Sequence, residues 1–209
     1  MLPFIEYSSN LGRQGTFDVD KDFPMTLPSD LAELAGTWTI DASHSRMGFV
    51  ARHAMVTKVR GSFNSFEGSA VVTDGDLSGS SATVTIDANS IDTRNEQRDG
   101  HLRSNDFFDM ENYPTITFTS TGVEATSAAE FTVTGDLTIK GVTREVSIPF
   151  TFEGAANDPF GNLRAGFEGS TVINRKDFGI EWNAALETGG VLVSEKITLE
   201  IEISAIKAA

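Results

Sequence analysis

The chain has 209 residues, enough for one domain with a sizeable core, or for such a domain with an appendage. Its 30 acidic and 16 basic residues give a formal charge of −14, which opposes binding to phosphate polyanions, so no nucleic-acid partner is expected. Cysteine is absent, excluding disulfides, thiolate metal centres and cysteine nucleophiles, while 39% hydrophobic and 22% charged residues are the composition of a soluble globular domain.

Residues 1–35 read as an N-terminal extension, because Pro3, Pro24, Pro28 and the acidic cluster Asp18, Asp20 and Asp22 interrupt any sustained period. The opening Met1-Leu2-Pro3-Phe4-Ile5-Glu6-Tyr7 has neither a basic n-region nor an apolar h-region, and a cytoplasmic location is the expectation. Towards the end of this stretch Ser29 or Asp30 can cap a short helix over 29–35, with Leu31 and Leu34 on one face.

Residues 36–209 form the domain proper, and their dominant period is two. In 196–206, Ile197, Leu199, Ile201 and Ile203 alternate with Thr198, Glu200, Glu202 and Ser204, the pattern of a half-buried strand. The same alternation runs through 144–152, where Pro149 marks an edge or a bulge. Further runs fall at 45–54, 56–63, 68–73, 81–87, 115–120, 131–140 and 163–173. Eight or nine strands, each apolar on one side only, indicate an all-β antiparallel barrel or sandwich and argue against a parallel α/β sheet. One short helix is placed over 94–103, where Arg94/Arg98 and Asp99/Arg103 are spaced i,i+4.

Common catalytic signatures are missing: the chain has no G-x-S-x-G elbow, P-loop, H-E-x-x-H or strand-linked G-x-G-x-x-G. Asp74-Gly75-Asp76-Leu77-Ser78-Gly79 looks like half an EF-hand loop, but Thr85 stands where the bidentate Glu belongs, so a hairpin turn is expected. Asp18, Asp20 and Asp22 lack the EF-hand Gly and read as a solvated acidic segment. A three-histidine metal site from His44, His53 and His101 is the sharper reading of those residues. Their positions at a turn, on a strand face and on the helix favour separate hydrogen-bonded histidines, so neither a metal nor a cofactor is expected. The positive signal is aromatic: 15 Phe against 2 Trp and 2 Tyr, with Phe49, Phe63, Phe118 and Phe167 on separate strands, as in a barrel with an apolar interior.

Longer motifs point to a family. Trp38-Thr39-Ile40-Asp41-Ala42-Ser43-His44-Ser45, followed by Phe49, His53 and 61–68 (GSFNSFEG), resembles the opening of the YceI-like family. Residues 98–109 (RDGHLRSNDFFD), Tyr113-Pro114 and Ile116-Thr117-Phe118 are similar to its central signature. Residues 135–143 (GDLTIKGVT) and 174–180 (NRKDFGI) extend the resemblance over about 37–206.

This resemblance implies an extended, lipocalin-like antiparallel β-barrel of about eight strands, with the helix near its mouth and a long pore that binds polyisoprenoid chains or related amphiphiles. On that implication the apolar wall comprises Phe49, Phe63, Val84, Ile86, Ile116, Phe118, Leu137, Ile139, Phe167 and Phe178. His53, Arg98 and His101 are the candidates for a polar end where an alcohol, phosphate or quinone head is recognised, with an ion pair to a nearby carboxylate as the alternative for Arg98. The expected function is non-catalytic binding, storage or transport of lipid, with transient membrane contact and a homodimer as further expectations. The alternatives are an enzyme acting on a pore-bound lipid through His53 or His101, and a structural or stress-related barrel without a regular ligand.

Overall fold

Alternation at period two is carried through into a closed antiparallel barrel. The computed structural model describes residues 30–74, 77–187 and 189–208; Asp18, Asp20 and Asp22 lie outside them. In chain order the strands are β1 (Gly36–Ile40), β2 (Arg46–His53), β3 (Thr57–Phe63), β4 (Phe66–Val72), β5 (Ser81–Asp87) and β6 (Ile91–Asp92). Helix α1 (Glu96–Arg103) precedes β7 (Thr115–Ala125), β8 (Glu130–Ile139), β9 (Val142–Asn157), β10 (Leu163–Asn174) and β11 (Lys196–Lys207).

Three of the eight barrel strands are broken once. Strand β11 pairs with β1 at its C-terminal end and with β2 over Thr198–Glu202, so β1 and β2 lie end to end. Strands β3 and β4 follow against β2 and β1, and β6 and β5 against β3 and β4. Strands β7 to β11 continue in sequence order, and closure of β11 onto β1 completes an eight-stranded up-and-down barrel. Two of the breaks are capped 3-10 turns. Asp41 accepts from the Ser43 amide ahead of Ala42–His44, and Asp87 accepts from the Asn89 amide ahead of Ala88–Ser90.

Pro149 falls where its missing N–H does least harm: the β9–β10 ladder runs from Asn157 only as far as Phe150. The stretch read as an EF-hand half-loop lies between the antiparallel strands β4 and β5, with a 3-10 turn over Leu77–Gly79. Helix α1 begins later than the spacing suggested. Asn95 is its cap and Arg94 sits before it at φ 62°, so Arg94 and Arg98 do not share a helix face. Neither charge pairs along the helix. Arg98 donates to the Thr93 hydroxyl and carbonyl, Arg103 donates to the carbonyls of Asn89 and Ile91, and buried Asp99 accepts from the Thr93 amide and hydroxyl. These bonds tie the helix to the strand end beside it.

The interior divides into two apolar clusters. At the helix end, Phe63, Ile91, Phe107, Met110, Ile116, Phe178 and Ile180 pack together. At the opposite end, a 3-10 turn over Leu31–Leu34 tucks Leu31 and Leu34 against Trp38, Phe152, Ala165 and Ala205. Trp38 Nε1 donates to the Leu34 carbonyl at 2.8 Å, and the Leu31 amide donates to the Ala128 carbonyl. Residues on the extension side of position 36 therefore help cover this end of the barrel.

Candidate ligand cavity

Inward-facing side chains leave a cavity of about 310 Å³ that runs between the two clusters. Leu31, Leu34 and Trp38 border one end, and Phe107, Phe178, Ile180 and Val193 the other. Along β11, Ile197, Leu199, Ile201, Ile203 and Ala205 line it, while Glu200 on the outer face approaches Arg46 and Arg60. The inner and outer faces of one strand thus have opposite chemistry, as a two-residue period requires.

Aromatic rings furnish much of the wall. Phe49 packs on Phe63 with centroids 5.7 Å apart, and Phe63 meets the edge of Phe108 at 6.0 Å. Nearer the opposite end, Phe131 stacks on Phe150 at 5.6 Å and meets Phe167 at 5.8 Å. Phe49 and Phe150 each stand directly across the ladder from a glycine, Gly61 and Gly169, and a methyl group at either glycine would strike the ring. The glycines let these rings lie against the wall.

All ten side chains expected on the apolar wall, Phe49, Phe63, Val84, Ile86, Ile116, Phe118, Leu137, Ile139, Phe167 and Phe178, border this one cavity. Met47, Val133 and the β11 row also line the cavity, and the alternation alone is enough to find them. Leu102, Phe107 and Phe108 join them from the segment around α1, where no two-residue period operates.

The three residues expected at a polar end are absent from the cavity lining. His53 is exposed at the end of β2, bridged to Val193, because the strand has run past the cavity after Met47, Phe49 and Ala51. Arg98 turns back onto Thr93, as described above. His101 lies 2.9 Å from Asp106 and packs edge-on against Phe107 and Trp182. His44 is also apart, with Nδ1 2.7 Å from Asp41. No cluster of three metal-ligating side chains occurs among the described residues.

Arg175 is the charged side chain that does border the cavity. It follows β10 in the 3-10 turn Arg175–Phe178, which Gly179 closes in the left-handed conformation at φ 71°. Only 4% exposed, Arg175 donates from Nε to the Ser194 carbonyl at 3.0 Å and from Nη1 to the Ile180 carbonyl at 2.6 Å. Its Nη2 has no hydrogen-bond partner. Burial pulls its pKa down from the ordinary arginine value, with Glu195 opposing the shift, and a guanidinium is the one side-chain cation that keeps its charge in such a place. Glu195 is engaged by Lys176 at 2.6 Å on the solvent side.

Another arginine has a different setting. Arg164 donates from Nη1 to Asp41 at 2.6 Å and from Nε to Asp158 at 2.8 Å, tying the β1–β2 break to the β9–β10 turn. The Asp41 carboxyl is held well below the usual range by the Ser43 hydroxyl, then by Arg164 and His44. Asp158 is lowered chiefly by the Asn162 side chain, with Arg164 adding to the effect. Hydrogen bonding to the ionised form explains both shifts.

The cavity lining contains no His, Asp, Glu, Lys or Tyr among the described residues, and so presents no acid–base pair to an occupant. Its volume reaches the range of small-molecule pockets, about 300–1,000 Å³. Walls of this kind stay dry, and an apolar cavity of half this size can hold benzene. At ~24 cal/mol per Å³, an empty cavity of this volume forgoes on the order of 7 kcal/mol of packing, comparable with the net stability of a domain.

A closed up-and-down β-barrel around an apolar cavity belongs structurally with small-ligand-binding barrels of the lipocalin type. A model of the YceI-like domain matches residues 38–205, and the chain belongs to that family. UPF0312 protein SA2479 of Staphylococcus aureus (strain N315) is 42% identical over 167 residues, covering 78% of this chain and 93% of that protein. The crystal structure of the Campylobacter jejuni YCEI protein shares 31% identity, with a TM-score of 0.63 over 76% of this chain and 90% of that one. Burkholderia cenocepacia BcnA has the same fold, with a TM-score of 0.69 at 24% identity over 79% and 98% of the two chains. So does a polyisoprenoid binding domain from Saccharophagus degradans implicated in plant cell wall breakdown, with a TM-score of 0.62 at 19% identity over 82% and 98%.

Proposed function

We propose that the protein is a non-catalytic carrier or store for a long-chain apolar lipid, of the polyisoprenoid class, held along the barrel cavity. The observation that carries the reading is the continuous cavity itself, with Phe, Ile, Leu and Val from eight barrel strands facing one volume. The Saccharophagus degradans domain, described as polyisoprenoid binding, supports the ligand class. His53 and His101 stand outside the lining, which speaks against acid–base chemistry by either residue on a cavity-bound lipid.

Burying a methylene is worth ~0.8 kcal/mol relative to water, so an isoprene unit contributes several kcal/mol on that scale. A lipid drawn from a bilayer starts in hydrocarbon, and most of this cancels. Shape, chain ordering and the head group then decide the net transfer, which suits exchange or storage. The β2–β3 turn offers a point for brief membrane contact. Met55 and Val56 are 52% and 74% exposed at its tip, with Arg52, Lys58 and Arg60 nearby in a chain that is otherwise strongly acidic.

Titration of the full chain, freed of bound lipid, with a polyprenol tests the reading by thermal shift and by tryptophan fluorescence, since Trp38 borders the cavity. Saturable one-to-one uptake with a raised melting temperature is expected. A chain that stays folded and takes up no polyprenol would contradict it.

A further inference from the structure

The two clusters that end the cavity are both apolar, yet a permanent cation has been built into the wall beside one of them. Arg175 is 4% exposed, borders the cavity with Phe178 and Ile180, and spends Nε and Nη1 on the carbonyls of Ser194 and Ile180. These two carbonyls fix the plane of the guanidinium. Nη2 is left as the buried side-chain nitrogen or oxygen without a hydrogen-bond partner among the described residues. Among the described residues no carboxylate forms an ion pair with the group, and Glu195, whose charge acts on it, is held by Lys176.

A buried cation without a counter-charge is costly, and a buried donor without an acceptor adds to that cost. Both deficits are met by the same partner, an oxygen carrying negative charge. Arginine is also the side chain whose rigid donor fork best matches carboxylate and phosphate. Building on the reading of the cavity as a lipid site, we propose that Arg175 Nη2 receives the anionic head-group oxygen of a single-chain amphiphile whose apolar tail lies along the barrel. The head group is a carboxylate or a phosphate monoester, and it sits at the helix end. Arg175 thereby sets both the polarity and the direction in which the ligand enters the barrel, roles that His53, Arg98 and His101 are not placed to fill.

The test uses three probes with one tail and different heads: farnesol, farnesoic acid and farnesyl monophosphate, each titrated against the full chain by native mass spectrometry. At least one of the two anions is expected to bind roughly tenfold tighter than farnesol, the scale of one hydrogen bond to a charged group. Which anion wins identifies the head group. Arg175→Met is expected to bind all three probes alike, and Arg175→Lys to recover part of the preference. If Arg175→Met does not fold, ¹⁵N-labelled arginine in the unaltered chain gives the answer. The Arg175 side-chain resonance should move with the preferred anion and stay in place with farnesol. Equal binding of the three probes by the unaltered chain, as expected if a buried water satisfies Nη2, would overturn the proposal and leave the lipid reading standing. So would a preference that survives in a folded Arg175→Met. Failure of every probe, farnesol included, would overturn the lipid reading along with it.

Discussion

Arg164 and Arg175 lie at opposite ends of the same strand region and have been given opposite surroundings. Arg164, near the start of β10, is a quarter exposed and holds two carboxylates, each with further hydrogen bonds of its own. Arg175, just beyond the end of β10, is buried with two backbone carbonyls as its partners. One arginine joins loops and has its charge balanced by the protein. The other sits in an apolar wall with no ion pair and one nitrogen without a hydrogen-bond partner among the described residues. A saturated arginine is sufficiently explained by architecture, whereas an unsaturated one bordering a cavity is the place to look for a ligand.

The strongest test of this contrast blocks the space that a ligand of Arg175 would occupy. Ile201 lies midway along β11 and faces the cavity. Ile201→Trp is expected to abolish polyprenol uptake in native mass spectra while the chain still folds, because the added ring fills existing space. Retained uptake at full stoichiometry would mean that the lipid binds elsewhere.

Next in size is the polar tie at the helix end. Asp99 is buried and accepts from both the amide and the hydroxyl of Thr93. Asp99→Ala leaves these donors unpaired and is expected to cost about 1–3 kcal/mol, measured by urea denaturation. An unchanged midpoint would show that the tie contributes nothing to the helix end.

Arg164→Ala probes the balanced arginine. Asp41 and Asp158 are held below the ordinary aspartate value, so the folded state binds fewer protons than the unfolded one as the pH approaches 4. Their contribution is therefore full at neutral pH and is lost progressively as the pH falls below about 4. The melting temperature of Arg164→Ala should lie below that of the unaltered chain at pH 7, and the gap should hold down to about pH 4 and narrow only in stronger acid, as the two carboxylates take up protons, with uptake unchanged. A difference that persists unchanged in acid strong enough to protonate both carboxylates would assign the effect to packing. The smallest effect expected is in exchange: Met55→Ser with Val56→Ser should slow lipid transfer from vesicles a few-fold and leave equilibrium uptake alone.

The barrel was legible wherever the two-residue period ran unbroken. Ile197, Leu199, Ile201 and Ile203 declare their common face in the sequence, and nine of the ten wall residues implied by the family resemblance lie on strands where the same rule holds, while Phe178 reaches the cavity from the 3-10 turn after β10. The broken strands were harder to read as continuous members of a ring, because β1 and β2 become collinear only by sharing β11. The polar end was not legible. His53, Arg98 and His101 lie in or near the helix-end motifs, but local geometry decides where they go: a strand that outruns the cavity, a guanidinium that turns back onto Thr93, and an imidazole beside Asp106. Arg175 is followed by Lys176 and Asp177 in an ordinary-looking charged turn. Its burial depends on the segment from Ile180 to Ser194, a stretch without strand periodicity that supplies both of its carbonyl partners.

The central claim, that the cavity exists to hold a lipid, is tested most directly by native mass spectrometry of the freshly purified full chain, followed by solvent extraction and identification of what is released. The account predicts a stoichiometric adduct that extraction removes, with masses spaced by isoprene units. A chain that is folded and empty as purified, and that remains empty after exposure to polyprenols and their phosphates, would contradict it.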